Sequence, residues 1–451
     1  MDNVESSIDL KLQFKKYVIP SVAAMWVFSL YSMVDGIFVS KGVGSDALAA
    51  VNISTPYINM LFALSILFAT GASTVVAMML GNSNRKKANE YFTLNLAVIS
   101  IISVIIMLVS LLNLDNIAIF LGATSATIEH VKDYLGTIML FVLFYLGSYY
   151  LEVLIKSDGY PHLATVGVII SAITNIVLDY VFVIKLGYGV EGAAFATGIA
   201  RVFSFSFFFI HFLRKKGKLK FTKFKLDFSV IKRVIAIGIP DSTTEISIAV
   251  VVLIFNQSIL KVIGENALVS YSVVCYINTL VLTTMMGISQ GIQPICSYYY
   301  GKNDKEVVLL ILKMGLKSVK ISSIASFLIV FIFTNQIVSL FINNAEHELF
   351  TYTVSVLRIF SLAFLVMGYN IITSGFCVSI EKPIQAGVVS LGRGIVVITV
   401  TLIIMILLFG GAGIWTSTLI SEIVVFVISR NILEKCKNDL EYKYMEPVLN
   451  Q

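Results

Sequence analysis

Charge is scarce in this sequence. Asp, Glu, Lys and Arg make up 13% of its 451 residues, while hydrophobic residues make up 57%. Soluble domains carry about 25% charged residues, so there is too little charge here to cover a water-facing surface. The net charge of +6 is modest and gives no reason to invoke nucleic acid. Histidine and cysteine number only four each. Cys275, Cys296, Cys377 and Cys436 follow no metal-ligand spacing, and the first three lie in apolar runs, so they read as free, buried thiols. No phosphate-cradling loop, metal triad or nucleophile–base set appears, which argues against an enzyme and against an organic cofactor.

What the sequence has instead is a succession of long apolar runs. Stretches of about 20 residues, the length that crosses a bilayer, fall near 17–39, 51–79, 93–113, 133–155, 162–184, 190–213, 234–258, 270–298, 316–341, 351–377, 385–409 and 411–433. Each is predicted to be helical, because a segment in lipid must satisfy its own backbone hydrogen bonds. The fold class is therefore an all-α polytopic membrane protein with twelve transmembrane helices. The first run is full length and carries Asp35, so it reads as a retained helix and not a cleaved signal peptide.

Basic residues set the orientation. One set of loops carries Arg85, Lys86 and Lys87, then Arg214, Lys215, Lys216, Lys218, Lys220, Lys223 and Lys225, then Lys302 and Lys305. The tails add Lys11, Lys15, Lys16, Lys435 and Lys437; the alternate loops hold mainly Lys41, Lys132, Lys185 and Lys261. Both termini are expected in the cytoplasm, with the chain in the plasma (inner cell) membrane.

The chain also repeats itself. At an offset of 220, Pro20 falls on Pro240, Gly44 on Gly264, Ala47 on Ala267, Gly71 on Gly291 and Gly81 on Gly301. The offset then drifts, with Pro161 on Pro383, Gly192 on Gly413 and Thr197 on Thr418. Self-similarity of this kind marks a duplicated unit. Each half holds six spans, so the halves share one orientation as two pseudo-symmetric six-helix lobes. The expected organisation is an N-lobe at 1–213, a basic cytoplasmic linker at 214–233 that anchors near anionic lipid, and a C-lobe at 234–451.

Polar residues inside the spans carry the chemistry. An ionised side chain at mid-membrane costs about 2.5 to 3.5 kcal/mol on insertion scales. Asp35, Asp179 and Thr197 fall at similar depth, and Asn175 lies one turn before Asp179 on the same helix face. Two carboxylates, an amide oxygen and a hydroxyl offer all-oxygen coordination to a hard cation such as Na⁺. Two close acids can equally share and carry a proton. The alternative is that both acids cap helix ends near the interface. Under the repeat Asp35 maps to Phe255, Asn175 to Val396 and Asp179 to Val400, so the cluster belongs to one lobe.

Glu245 is the main acid candidate of the second lobe, as a substrate or coupling residue or as a partner for Arg358 or Arg393. Glu422 and Arg201 occupy matching repeat positions, each expected to pair with an opposite charge. Glu152 and Lys156, four residues apart, read as an interfacial pair. Gln290, Asn278 and Tyr145 are candidates for lining a substrate path, though such residues also simply bridge helices.

Met33-Val34-Asp35-Gly36, the Asn175–Asp179 stretch and Gly192–Thr197, set in two six-span repeats, resemble the MATE (multidrug and toxic compound extrusion) transporters. The run Gln290-Gly291-Ile292-Gln293-Pro294, ending at Gly301, is similar to the MepA-like bacterial branch. The resemblance implies a monomeric secondary antiporter that exports a small-molecule substrate, bulky and cationic, through the lipid bilayer in exchange for inward Na⁺ or H⁺. It also implies that Asp35, Asn175, Asp179 and Thr197 form the cation site, with Na⁺ as the metal if coupling is to sodium. The competing readings are a lipid-linked precursor flippase of related two-lobe shape, for which Arg201, Arg358 and Arg393 speak, and a major-facilitator carrier, also six plus six.

Overall fold

The computed structural model describes the backbone over residues 2–43, 45–343 and 347–449, and side chains over 9–39, 43, 48–343 and 347–441. Gly44 and the side chains of Lys41 and Ala47, used above for the repeat and the loop charges, lie outside the described residues. Among the described residues every regular element is helical, with no strand. Its first half contains α1 (Asp2–Gly42), α2 (Ser45–Gly81), α3 (Arg85–Leu112), α4 (Leu114–Phe120), α5 (Ile128–Leu140), α6 (Val142–Ser157), α7 (Pro161–Asp179), a π-helical turn (Tyr180–Lys185) and α8 (Gly189–Leu213). Next come α9 (Phe228–Val262), α10 (Asn266–Gly301), α11 (Lys305–Ile332), α12 (Thr334–Ser339), α13 (His347–Ser361), α14 (Phe364–Ser379), α15 (Pro383–Leu391), a π-helical turn (Gly392–Val396), α16 (Val397–Phe409) and α17 (Gly411–Leu449).

Ten crossings are continuous helices, and the other two are bent pairs, α5 with α6 at 53° and α13 with α14 at 43°. Together they give the twelve crossings. The fourth span, expected as one run, breaks at Phe141. The Phe141 ring occupies the notch on α8 that a side chain at Gly198 would fill. No proline is needed for that bend.

The duplication is visible in the elements. Both α3 and α11 begin and end 220 positions apart, each after a turn residue with positive φ, 59° at Ser83 and 61° at Asn303. Each is capped alike: Asn84 Oδ1 accepts the Lys87 N–H at 3.2 Å and Asp304 Oδ1 accepts that of Val307 at 3.3 Å. Side-chain capping of this kind satisfies a backbone donor that the helix start leaves free. Both halves also carry a bent span in corresponding places and a π-helical turn in the corresponding span, although the turn follows Asp179 in the first half and precedes the matching position in the second.

The contacts divide the chain into two compact units, Met1–Ser242 and Thr243–Gln451. The division falls inside α9, and glycine explains why. A Cβ on Gly71 would fall on the Val234 carbonyl, and one on Gly238 on the Leu67 carbonyl. Glycine spaced this way lets two backbones touch, as small residues do between membrane helices. The first part of α9 thus packs against α2 within unit 1.

Residues 214–227 are tied down. From Lys218 to Phe224 apolar and polar residues largely alternate, the period of an extended chain. Leu219 is fully buried, and Phe221 lies on Phe92 (5.3 Å) and Phe209 (5.1 Å). Backbone N–H groups of Leu219, Lys220 and Thr222 donate to Asp158 Oδ1 (2.6 Å), Asn89 Oδ1 (2.9 Å) and Thr93 Oγ1 (3.2 Å). Asp158 also meets His211 Nε2 at 2.8 Å. Burial raises its carboxyl above the ordinary range, while His211 and the Leu219 N–H pull it back. Hydrogen bonds to a charged group contribute about 1.5–3 kcal/mol. Asp158→Ala is therefore expected to speed tryptic cleavage after Lys215, Lys216, Lys218 and Lys220 by roughly tenfold or more; unchanged cleavage would show that the strap is held elsewhere.

Candidate cation site

Within unit 1, α7 packs between α1 and α8. Ser171, Asn175 and Asp179 recur every fourth residue along α7, and all three are buried. Asp179 closes the α-helix, and the π-helical turn Tyr180–Lys185 follows at once. Such turns widen a helix locally and recur at functional sites. α1 brings Asp35 to this face, and α8 brings Thr197.

The four side chains meet. Asn175 Nδ2 donates to Thr197 Oγ1 at 3.3 Å. The Asp35 carboxyl lies beside Asp179 and Asn175. Ionised carboxylates only accept hydrogen bonds, so the two acids cannot satisfy one another unless they share a proton. Asp35 Oδ1, Asn175 Oδ1 and both oxygens of Asp179 are buried without a donor. Unpaired buried acceptors cost several kcal/mol and are rare in folded proteins. Four of them on three neighbouring side chains fit a proton or a hard monovalent cation. Helix capping, the alternative reading of these acids, finds no support: neither aspartate accepts a backbone N–H at a helix start among the described residues.

Layers bound this centre on both sides. One turn along each helix, Val39 of α1, Val183 of the π-helical turn and Ala193 of α8 form a buried apolar cluster. One turn the other way lie Tyr31 of α1 and Arg201 of α8, joined by an Arg201 Nη2–Tyr31 hydroxyl bond of 2.9 Å. The guanidinium also lies over the rings of Tyr145 (4.8 Å) and Phe28 (5.8 Å). A cation on an aromatic face is attracted by the ring quadrupole. Tyr145, a candidate for the substrate path, is thus a stacking partner of Arg201. Tyr31 was missed in the sequence, although its place one turn before Asp35 is a readable signal.

The remaining candidates do not converge. Glu245 is half-buried and makes none of the ion pairs among the described residues. Its expected partners are engaged otherwise: Arg393 Nε lies 2.7 Å from Glu422 Oε1, and Arg358 lies 5.7 Å from the Phe331 ring centre. Asn370 Nδ2 donates to Glu422 Oε2 at 2.7 Å, so the pairing expected of Glu422 is present. The basic residues that spoke for a flippase are therefore occupied. Asn278 keeps a buried Oδ1 without a donor, and no hydrogen bond among the described residues joins it to Glu245 or Gln290. Glu152 and Lys156 do pair, at 3.6 Å, but with side chains only 12% and 3% exposed, so this is an interior pair, not an interfacial one.

The repeat position of Asp35 is filled by Phe255, fully buried against Tyr271 at 5.4 Å. Val396 and Val400, expected opposite Asn175 and Asp179, are instead 56% and 52% exposed. The π-helical turn at Gly392–Val396 adds residues to the span and turns those positions outward.

Twelve apolar crossings in a duplicated chain, with an oxygen-rich acid centre in one half, define a multi-pass membrane transport protein. The MatE family model matches residues 20–181 and 242–403, once in each half, and the chain belongs to that family. It is 26% identical over 422 residues to the multidrug export protein MepA of Staphylococcus haemolyticus, covering 92% of each chain. To MepA of Staphylococcus aureus strain MRSA252 it is 25% identical over 409 residues, covering 90% of this chain and 89% of that one. Its fold matches a solved multidrug resistance MATE transporter of the MOP superfamily with a TM-score of 0.91 at 21% identity, covering 96% of this chain and 97% of that one.

Proposed function

We propose that this chain is a secondary antiporter that exports bulky, lipophilic cations in exchange for H⁺ or Na⁺ bound at Asp35, Asn175, Asp179 and Thr197. One observation carries the reading: in a member of the MatE family, two acids converge inside the membrane with an amide and a hydroxyl, and four of their buried oxygens lack a donor. The substrate class rests on the MepA relatives, named as multidrug export proteins. The chain acts alone, in the plasma membrane with both termini cytoplasmic, and needs no cofactor beyond the coupling cation.

The mechanism follows from linkage. Coupling cation on the acids removes an uncompensated charge from the membrane interior and favours one conformation of the N-terminal unit. Export substrate favours the other. Each ligand shifts the equilibrium only by its difference in affinity for the two states. Exchange arises when the two occupancies exclude one another.

Proteoliposomes loaded with ethidium test this, with a pH gradient and a Na⁺ gradient imposed in separate trials. Efflux driven by at least one gradient is expected. Dye movement that ignores both gradients contradicts the antiport reading.

A further inference from the structure

Two of the four thiols meet. Cys377 Sγ and Cys436 Sγ lie 4.0 Å apart, close enough for one thiol to donate to the other. Cys377 stands in the last turn of α14, and Cys436 on α17, 59 positions further along the chain. Both residues are buried. Cys275 and Cys296 make no sulfur–sulfur contact among the described residues.

Local backbone brings a cation to this pair. Glu381 takes a positive φ of 54°, and the Lys382 N–H then donates to the Cys377 carbonyl at 2.8 Å. A left-handed residue just past a helix lets the chain reach back to the last carbonyls in this way. The turn carries Lys382 past the end of α14, where its ammonium pairs with Asp439 and lies beside Cys436. Cys436 and Asp439 are three residues apart, hence neighbours on one face of α17. The side chains of Lys382 and Asp439 are 20% and 52% exposed. Water therefore reaches the groups that border the covered thiols.

The arrangement gives the two sulfurs different parts. An ammonium beside a thiol favours the thiolate, the nucleophilic form of cysteine. Cys436 has that neighbour, and Cys377 is the second thiol poised against it. An attacking cysteine next to a resolving one is the pattern of a reversible thiol sensor. Under the proposed orientation this end of α14 and α17 faces the cytoplasm, where thiols are kept reduced. The pair therefore rests as a dithiol.

We propose that Cys377 and Cys436 form a redox-modification site, a dithiol that hydrogen peroxide converts to a disulfide joining α14 to α17. The Cys436 thiolate attacks one peroxide oxygen, the O–O bond breaks, and hydroxide leaves and takes up a proton as water. Cys436 is then a sulfenic acid. Cys377 Sγ attacks that sulfur, the S–O bond breaks, and the second oxygen leaves as water with the Cys377 proton. Two thiols lose two electrons, and one peroxide is reduced to two waters. A disulfide is about 2.05 Å long, so the sulfurs close from their contact of 4.0 Å. Thiol–disulfide exchange with a reductant reverses the step. The site lies in unit 2 and stands apart from the cation-site reading.

The test treats purified, full-length protein in detergent with hydrogen peroxide, counts free thiols after denaturation and maps cross-linked peptides by mass. The count is expected to fall from four to two, with one disulfide joining Cys377 to Cys436, and to return to four with dithiothreitol. Cys377→Ser removes the resolving thiol, so Cys436 is expected to stop at the sulfenic acid and to be labelled by dimedone. Lys382→Met is expected to slow disulfide formation roughly tenfold, since the charge that favours the thiolate is gone. Four free thiols in the peroxide-treated wild type, or a disulfide that pairs Cys377 or Cys436 with Cys275 or Cys296, overturns the proposal. Dimedone that fails to label Cys436 in Cys377→Ser, or a wild-type rate in Lys382→Met, overturns the assignment of Cys436 as the attacking sulfur. If a variant does not fold, the peptide map of the wild type decides.

Discussion

Asparagine in place of Asp179 is expected to lower gradient-driven ethidium efflux by roughly two orders of magnitude, the size of one lost charge-assisted contact. Protein abundance should hold. Asp179 is fully buried, and both of its oxygens lack a donor. The amide keeps the shape and removes the charge that the coupling cation answers. Removing a buried, uncompensated charge relieves the fold, so thermal stability is expected to hold or rise. That sign separates a functional acid from a structural one. A variant that melts early and transports poorly would mean that Asp179 serves the fold instead.

The opposite signature is expected of Glu422. Its carboxylate receives Arg393 Nε and Asn370 Nδ2, both at 2.7 Å, and it is 4% exposed. Removing one partner of a buried ion pair leaves the other charge uncompensated, at about 3–5 kcal/mol. Glu422→Ala should therefore lower the melting temperature clearly and reduce the yield of folded protein. Restoring packing with the double change Glu422→Leu, Arg393→Met should recover most of that loss, since a buried pair replaced as a unit by apolar residues is close to neutral. If Glu422→Ala melts like wild type, the pair does not hold α14, the π-helical turn and α17 together.

The fold was legible because lipid imposes a strict rule. A lone span of about 20 apolar residues must satisfy its own backbone in hydrocarbon, which a helix does, so run length located the crossings. The bend at Phe141 was hidden, because it accompanies packing: Phe141 enters the notch left by Gly198 on a distant helix. The division inside α9 was hidden for the same reason. Gly71 and Gly238 read as scattered glycines until α2 and α9 meet at their carbonyls.

The geometry of the acid centre followed from depth. Rise per residue is fixed in a helix, so acids at equal distance from a span end lie at equal height, and Asp35, Asn175, Asp179 and Thr197 do converge. Polar residues lacking that constraint were read less well. Glu152 and Lys156 gave the right pair in the wrong surroundings, since spacing fixes which side chains meet and not how deep they are buried. The segment after α8 was read by its lysines as a lipid-facing linker, while alternation around Leu219 and Phe221 marks the strap that the structure shows.

The central claim is that the acids of the first half hold the coupling cation and that export substrate expels it. The direct measurement is cation release when ethidium is added to the purified, full-length protein in weakly buffered detergent solution, followed with a pH indicator and a Na⁺ electrode. The wild type is expected to release about one cation per bound dye, by linkage between the two ligands, and Asp179→Asn none. Release from Asp179→Asn equal to that of the wild type would contradict it.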